Sequence, residues 1–304
     1  MADNWRNDLL NEQLARGNKR SKKAKPVKQS ASTGISYNVE LRKMVREIQR
    51  NIKELVIPLL RALEPEYTAD NVMTVTDAWS DDLRVVLERL RARWSSPEFV
   101  EASNRMASSF VRTADQVNRA RFNKNMRSIG LDIYGDSPEL AEYLRASAND
   151  NARLIRSIPD QYLTQVESIV YTNVRAGGRP ADITKTLSAQ FGITERRAAF
   201  IARDQTAKIN GDLVAKRQVN SGFEYFEWDD SDDERVRDRH EEIANKVTAY
   251  GKGIYRWDNP PLSDSGTPII PGQDFGCRCT ARPVSNSEVE ANQAAGRVAK
   301  GVLR

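Results

Sequence analysis

The hydrophobic period of this chain switches from helical to strand-like at Ser221-Gly222, and the change limits the folds open to it. Upstream, apolar residues recur at three- and four-residue steps, the spacing that puts one stripe on a helix. Downstream, Phe223, Tyr225 and Trp228 alternate with Glu224 and Glu227, which reads as a strand. A purely helical fold and a purely β fold are both excluded.

The upstream stripe begins near Ser36 and runs through Leu41, Met44, Val45, Ile48, Ile52, Leu55, Val56, Leu59 and Leu63. Pro58 lies inside it and is expected to kink or divide the helix. A second helix reads through Trp79, Leu83, Val86, Leu87, Leu90 and Trp94. A third starts at Ser96-Pro97, a capping hydroxyl followed by proline at the first helical position, and stops at Gly130. Ser137-Pro138 repeats the start signal, and another helix covers about 160–175. Beyond the break RAGGRP, two helices are expected, 181–191 and 195–219, the second capped by Thr194. After the strand, Asp232 or Asp233 is expected to cap a helix with Val236, His240, Ile243 and Val247 on one face. Residues 250–285, rich in Gly and Pro, read as short strands and ordered loops.

The fold class expected is therefore α+β, a mainly helical N-terminal domain followed by a small α+β C-terminal module with short strands. The expected divisions are 1–35, a basic mobile arm; 36–176, the helical domain; 177–285, the C-terminal module; and 286–304, a polar tail. Of the 304 residues 39% are hydrophobic and 29% charged, and no run of 18 apolar residues exists, so no membrane span is expected. The first residues lack the continuous apolar stretch of a signal peptide.

The net charge is +5. Residues 1–28 carry eight basic and three acidic side chains, which accounts for all of it. Arg16, Lys19, Arg20, Lys22, Lys23, Lys25 and Lys28 are the candidate DNA-binding residues. Such an arm contacts phosphates without reading sequence; the alternative is a solvated tail.

The chain has one histidine, His240, and two cysteines, Cys277 and Cys279. A disulfide framework and a multi-histidine site are thereby excluded. The three fall within one short stretch and supply three zinc-ligand types, with Asp229, Asp230 or Asp233 as a candidate fourth ligand. The bland reading is a hydrogen-bonded core histidine beside two small hydrophobes. A sharper alternative is a metal-dependent nuclease or other phosphate-processing enzyme centred on Asp233, Arg237 and His240. No phosphate-binding P-loop or dinucleotide fingerprint is present.

The run Gly222, Tyr225, Trp228, then Asp233, Arg235, Arg237 and His240, then Pro271-Gly272 and Cys277-Arg278-Cys279, resembles the C-terminal module of the phage Mu F-like minor head proteins, the phage head morphogenesis family. The helix containing Ala202-Arg203-Asp204-Gln205-Thr206 and Lys208 fits the family's arginine-containing helix. The resemblance covers about 175–285. It implies a non-enzymatic, low-copy minor head protein of a tailed phage, associated with the portal protein and with the major capsid or scaffold protein in the head interior. Some such proteins bind double-stranded DNA. It also implies assembly in the host cytoplasm.

Overall fold

The computed structural model describes residues 10, 12, 23–62, 77–132, 137–176, 178–230 and 236–299. Its contacts divide the chain into two compact units. One, the helical unit, comprises Gly34–Phe110 and Ala148–Ala202. The other, the mixed unit, comprises Met1–Thr33, Val111–Ser147 and Arg203–Arg304. The expected division at 176/177 does not follow these contacts, because three long helices contribute residues to both units.

Those helices are α3 (Pro97–Ser128), α4 (Pro138–Arg175) and α5 (Pro180–Asn220). Each begins with proline at its first position, where the missing N–H has no intrahelical partner to lose. The Oγ of Ser96 accepts from Phe99 N at 3.3 Å and that of Ser137 from Leu140 N at 3.3 Å. Both expected starts are found. The helix before them, α2 (Asp77–Trp94), follows α1 (Ala31–Ala62).

In the helical unit the α1 stripe of Leu41, Val45, Ile48, Ile52, Val56 and Leu60 is buried. Helix α1 runs through Pro58 without dividing. The apolar residues on either side of the proline pack equally well, and that burial offsets one lost backbone bond. Tyr37 stacks on Phe110 at 3.9 Å and donates to Asn151 Oδ1 at 3.2 Å. Helix α5 is likewise one helix where two were expected. Thr194 does not cap a second one; its Oγ1 donates back to Gln190 O at 3.1 Å.

In the mixed unit α5 ends at Asn220 and Gly222, with φ 89°, closes a Schellman turn after it. Phe223 N donates to Gln218 O and Gly222 N to Val219 O, each at 3.0 Å. This turn is the physical basis of the period change. Strand β1 (Tyr225–Asp229) follows and is central in an antiparallel sheet of order β2-β1-β3, with β2 (Ile254–Arg256) and β3 (Thr280–Val284). The core-facing residues of β1 are Phe226 and Trp228. Tyr225 lies on the other face, against Ile254, Val284, Val289 and Tyr250. The expected set of Phe223, Tyr225 and Trp228 mixed two faces, because Tyr225 and Trp228 are three residues apart in a strand of period two, and Phe223 precedes the strand. Helix α6 (Asp238–Asn245) has Arg237 at its N-cap, and the expected caps Asp232 and Asp233 lie outside the described residues. The C-terminal α7 (Asn286–Ala294) is capped by Ser285 and buries Val289.

The free arm expected over 1–35 needs correction at its C-terminal end. Residues 23–30 form an extended strap on the mixed unit, with Ala24, Val27 and Ser30 buried. Asn125 pairs with both backbone groups of Lys25. Asn210 Nδ2 donates to Val27 O at 3.0 Å, and Arg121 Nη1 to Lys28 O at 2.8 Å. Lys25 and Lys28 are exposed, and Lys23 pairs with Glu288 at 2.7 Å. Arg16, Lys19, Arg20 and Lys22 lie outside the described residues. Among the described residues no helix is long and apolar enough to cross a membrane.

Candidate metal centre

Four stretches of the mixed unit converge on His240. Helix α6 presents it on its apolar face beside Ile243, and it is 3% exposed. The segment leading into β3 brings Cys277 and Cys279, both buried. Strand β1 brings Trp228, whose ring lies 5.3 Å from the imidazole. Helix α5 is the platform beneath the loop 270–277.

That platform explains the glycines. A Cβ on Gly211 of α5 would lie 2.3 Å from Pro271 O, and one on Gly272 2.9 Å from Ala207 O. Gly272 also has φ +96°. Pro271-Gly272 therefore lies backbone to backbone on α5. Gln273 Nε2 donates to Asp212 Oδ1 at 3.2 Å, and Gly276 N to Asp204 Oδ1 at 2.9 Å. Burial raises the Asp212 carboxyl above its ordinary value, against bonds from Tyr143 and Gln273. From the other side Arg237 Nη2 donates to Phe275 O at 2.6 Å. A turn from Asp274 to Cys277, closed by Cys277 N donating to Asp274 O at 3.0 Å, then sets carboxylate and thiol on His240 together.

Each sulfur lies 3.6 Å from His240 Nδ1. The opposite ring nitrogen, Nε2, is 2.9 Å from Asp274 Oδ2. The potential ligand atoms of His240, Cys277 and Cys279 all lie within 4.8 Å of one another, and among the described residues these three form the one such group. A zinc ion with ordinary sulfur and nitrogen bond lengths at a tetrahedral angle separates N from S by about 3.6 Å. The geometry fits that ion. The Asp274 carboxylate on the far nitrogen is the partner that fixes the tautomer and orientation of a metal-ligating imidazole.

The electrostatics favour an anionic thiol at one of the two cysteines. The hydrogen bond with Cys279 holds the Cys277 thiol well below its ordinary value against burial, and His240 adds to the effect. The same bond and burial push the Cys279 thiol up. For His240 burial opposes protonation, but Cys277 and then Asp274 outweigh it and the pKa is raised. Negative charge thus gathers on a soft ligand in a dry cluster, the chemistry thiophilic cations select.

Asp229, expected as a fourth ligand, instead accepts from Thr280 Oγ1 at 3.0 Å and ties β1 to β3. Asp230 sits close enough for its charge to raise Cys279, but it is outside the ligand group. Asp233 and Arg235 lie outside the described residues. Arg278 is half-buried between the cysteines. For the nuclease reading, His240 is poorly accessible: Nδ1 faces two thiols, Nε2 meets Asp274, and the ring is buried. The sequence reading missed Asp274 and Gly211, and it named Asp204 only as part of the family-like helix, without its bond to Gly276 N. Asp274 stands three residues before Cys277, a turn spacing that marks it in retrospect.

Residues 164–282 match the family described as Phage Mu protein F like protein. The Mu F-like segment contains every element of the site: the α5 platform, β1, α6, the loop and both cysteines. An uncharacterized protein of Haemophilus influenzae is 30% identical over 291 residues, covering 94% of this chain and 60% of that protein. This chain thus spans less than two thirds of that relative's length. No solved structure matches the chain significantly.

Proposed function

We propose that this chain is a non-enzymatic minor head protein of a tailed bacteriophage, and that a zinc ion on His240, Cys277 and Cys279 organises its Mu F-like module. The supporting observation is that the matched segment, 164–282, is also the segment whose elements assemble the thiol–imidazole cluster. When bound, the metal cross-links α6 to the start of β3. The Asp274 carboxylate orients the imidazole, and α5 holds the loop in place. A buried centre of this kind stabilises a small module with a thin core.

In this reading the protein is present in few copies, in the head interior. It docks on the portal protein and on the major capsid or scaffold protein, after assembly in the host cytoplasm. The basic residues Arg16, Lys19, Arg20, Lys22, Lys25 and Lys28 contact double-stranded DNA through phosphates. Lys23 contributes less, because Glu288 already neutralises it.

Quantitative mass spectrometry of procapsids and virions assembled with this chain tests the reading. A few copies per particle are expected. Absence from both particle types overturns it. Metal analysis of protein purified without chelator is expected to give about one zinc per chain. Mg²⁺-dependent cutting of plasmid DNA that is lost on His240→Ala would instead restore the nuclease reading.

A further inference from the structure

A cleft of about 540 Å³ opens in the helical unit, between the end of α2, the first turn of α3 and the middle of α4. Trp94, Val100 and Leu163 supply its apolar lining. Arg91, Arg153 and Arg156 line it against one carboxylate, Asp160. The cleft therefore presents guanidinium groups and apolar side chains together.

Its arginines are not equally committed. Arg91 Nη2 pairs with Glu167 Oε2 at 2.5 Å. Arg153 meets Asp150 at 3.5 Å, with both side chains largely in solvent. Arg156 donates to a neutral group, Asn104 Oδ1, at 3.1 Å. Behind it Arg197 of α5 donates to Ser157 Oγ at 3.2 Å and to Ser157 O at 3.5 Å, again neutral groups. Burial lowers the Arg197 pKa, so its charge is held at a cost. Ser157 itself lines the cleft. Of the arginines that line the cleft, Arg156 on its neutral partner and the loosely paired Arg153 gain most from an incoming anion, and the guanidinium fork matches a carboxylate with two parallel bonds.

We propose that this cleft docks an acidic peptide segment of a partner protein, with carboxylates on Arg153 and Arg156 and an apolar side chain on Trp94 and Leu163. The apolar lining favours a peptide over duplex DNA, whose bases are stacked inside the helix and are not free to pack on Trp94. A sugar-phosphate backbone has nothing to place against Trp94, Val100 and Leu163, whereas a leucine between glutamates fills that lining while its neighbours reach the arginines. The volume suits a few side chains. This inference is independent of the head-protein reading and of zinc, since it uses the helical unit alone.

The probe is a short fluorescein-labelled peptide of glutamates interrupted by leucines. Its control has every glutamate replaced by glutamine, and fluorescence anisotropy is read against the full chain. Binding tighter than about 100 μM is expected for the acidic peptide, weakening as salt rises. Arg153→Glu with Arg156→Glu is expected to weaken it at least tenfold. The milder pair Arg153→Gln with Arg156→Gln, checked for retained helix by circular dichroism, is expected to weaken it less, in the same direction. Equal binding of the glutamine control overturns the proposal, as does binding untouched by both double variants or no binding below about 100 μM. A duplex oligonucleotide that displaces the peptide and shows the same arginine dependence overturns it in favour of nucleic acid.

Discussion

At the residue scale, the centre rests on His240, Cys277, Cys279 and Asp274, and on two glycines. Replacing Asp274 with Asn keeps a partner on Nε2 but removes the charge that orients the imidazole. Zinc affinity in a chelator competition is expected to fall about 10- to 100-fold; an unchanged affinity would remove Asp274 from the site. Cys277→Ser or Cys279→Ser is expected to unfold the mixed unit's loop and sheet, with the melting loss that chelator causes in the wild type. Gly211→Ala puts a methyl group 2.3 Å from Pro271 O. A loss of about 1–3 kcal/mol on thermal unfolding is expected, and an unchanged melting temperature would mean that the loop does not need the close approach. Of this site, His240 and the two cysteines were legible from type and clustering. Asp274 and Gly211 were not, because a carboxylate in a loop and a glycine in a helix carry no sign of what faces them.

At the element scale, the sheet is locked to α7 through Arg282, which is 7% exposed and bonded to both Glu227 and Glu288. Burial opposes the Glu288 charge, but Arg282 and Lys23 outweigh it and hold the carboxyl below its ordinary value of 4.5. Ionised Glu288 therefore contributes stability that is fully present above that ordinary value and is lost as pH falls through the lower folded value. Melting curves of wild type and Glu288→Gln are expected to differ at neutral pH and to converge in acid. A gap that stays constant down to acid pH would rule this out. The strap 23–30 makes a second prediction. Val27→Asp buries a carboxylate on the core and is expected to cost about 2–4 kcal/mol, read by denaturant unfolding. The strap was illegible because two small apolar residues among lysines have no period. Its order comes from Asn125, Asn210 and Arg121 on distant parts of the chain. The false break near 192–194 has a similar origin: Gly192 and Thr194 are stop and cap signals locally, and packing of Leu187 and Ala198 carries the helix across them.

At the scale of the whole molecule, the basic N-terminus divides at the strap. Replacing Arg16, Lys19, Arg20 and Lys22 with Gln keeps Leu10, which is buried in the core of the mixed unit, and is expected to flatten the salt dependence of duplex DNA binding. A slope that survives the substitutions would place DNA contact elsewhere. Lys25→Glu with Lys28→Glu, in the full chain, is expected to weaken binding by a smaller step. The division into two units was not visible in the sequence, where composition breaks at 175–180 suggested a boundary. The contacts divide α3, α4 and α5 along their length, at 110/111, 147/148 and 202/203, and not at a break between helices.

What the sequence determined by itself was local and periodic. Apolar stripes specified helices, Ser-Pro pairs started them, and Gly130 and Gly222 stopped them, because caps and positive φ are decided by a few neighbouring residues. It also set the ligand types at the candidate centre, since one histidine and two cysteines leave little choice. Only the tertiary structure decided that Asp274 meets the far side of His240. It likewise decided that α5 presses on Pro271-Gly272, that lysine-rich residues lie strapped on a core, and that Arg156 faces a cleft on a neutral partner. Each of these joins residues far apart in the chain, and such contacts are selected by the shape and burial of the folded whole, which no local pattern encodes.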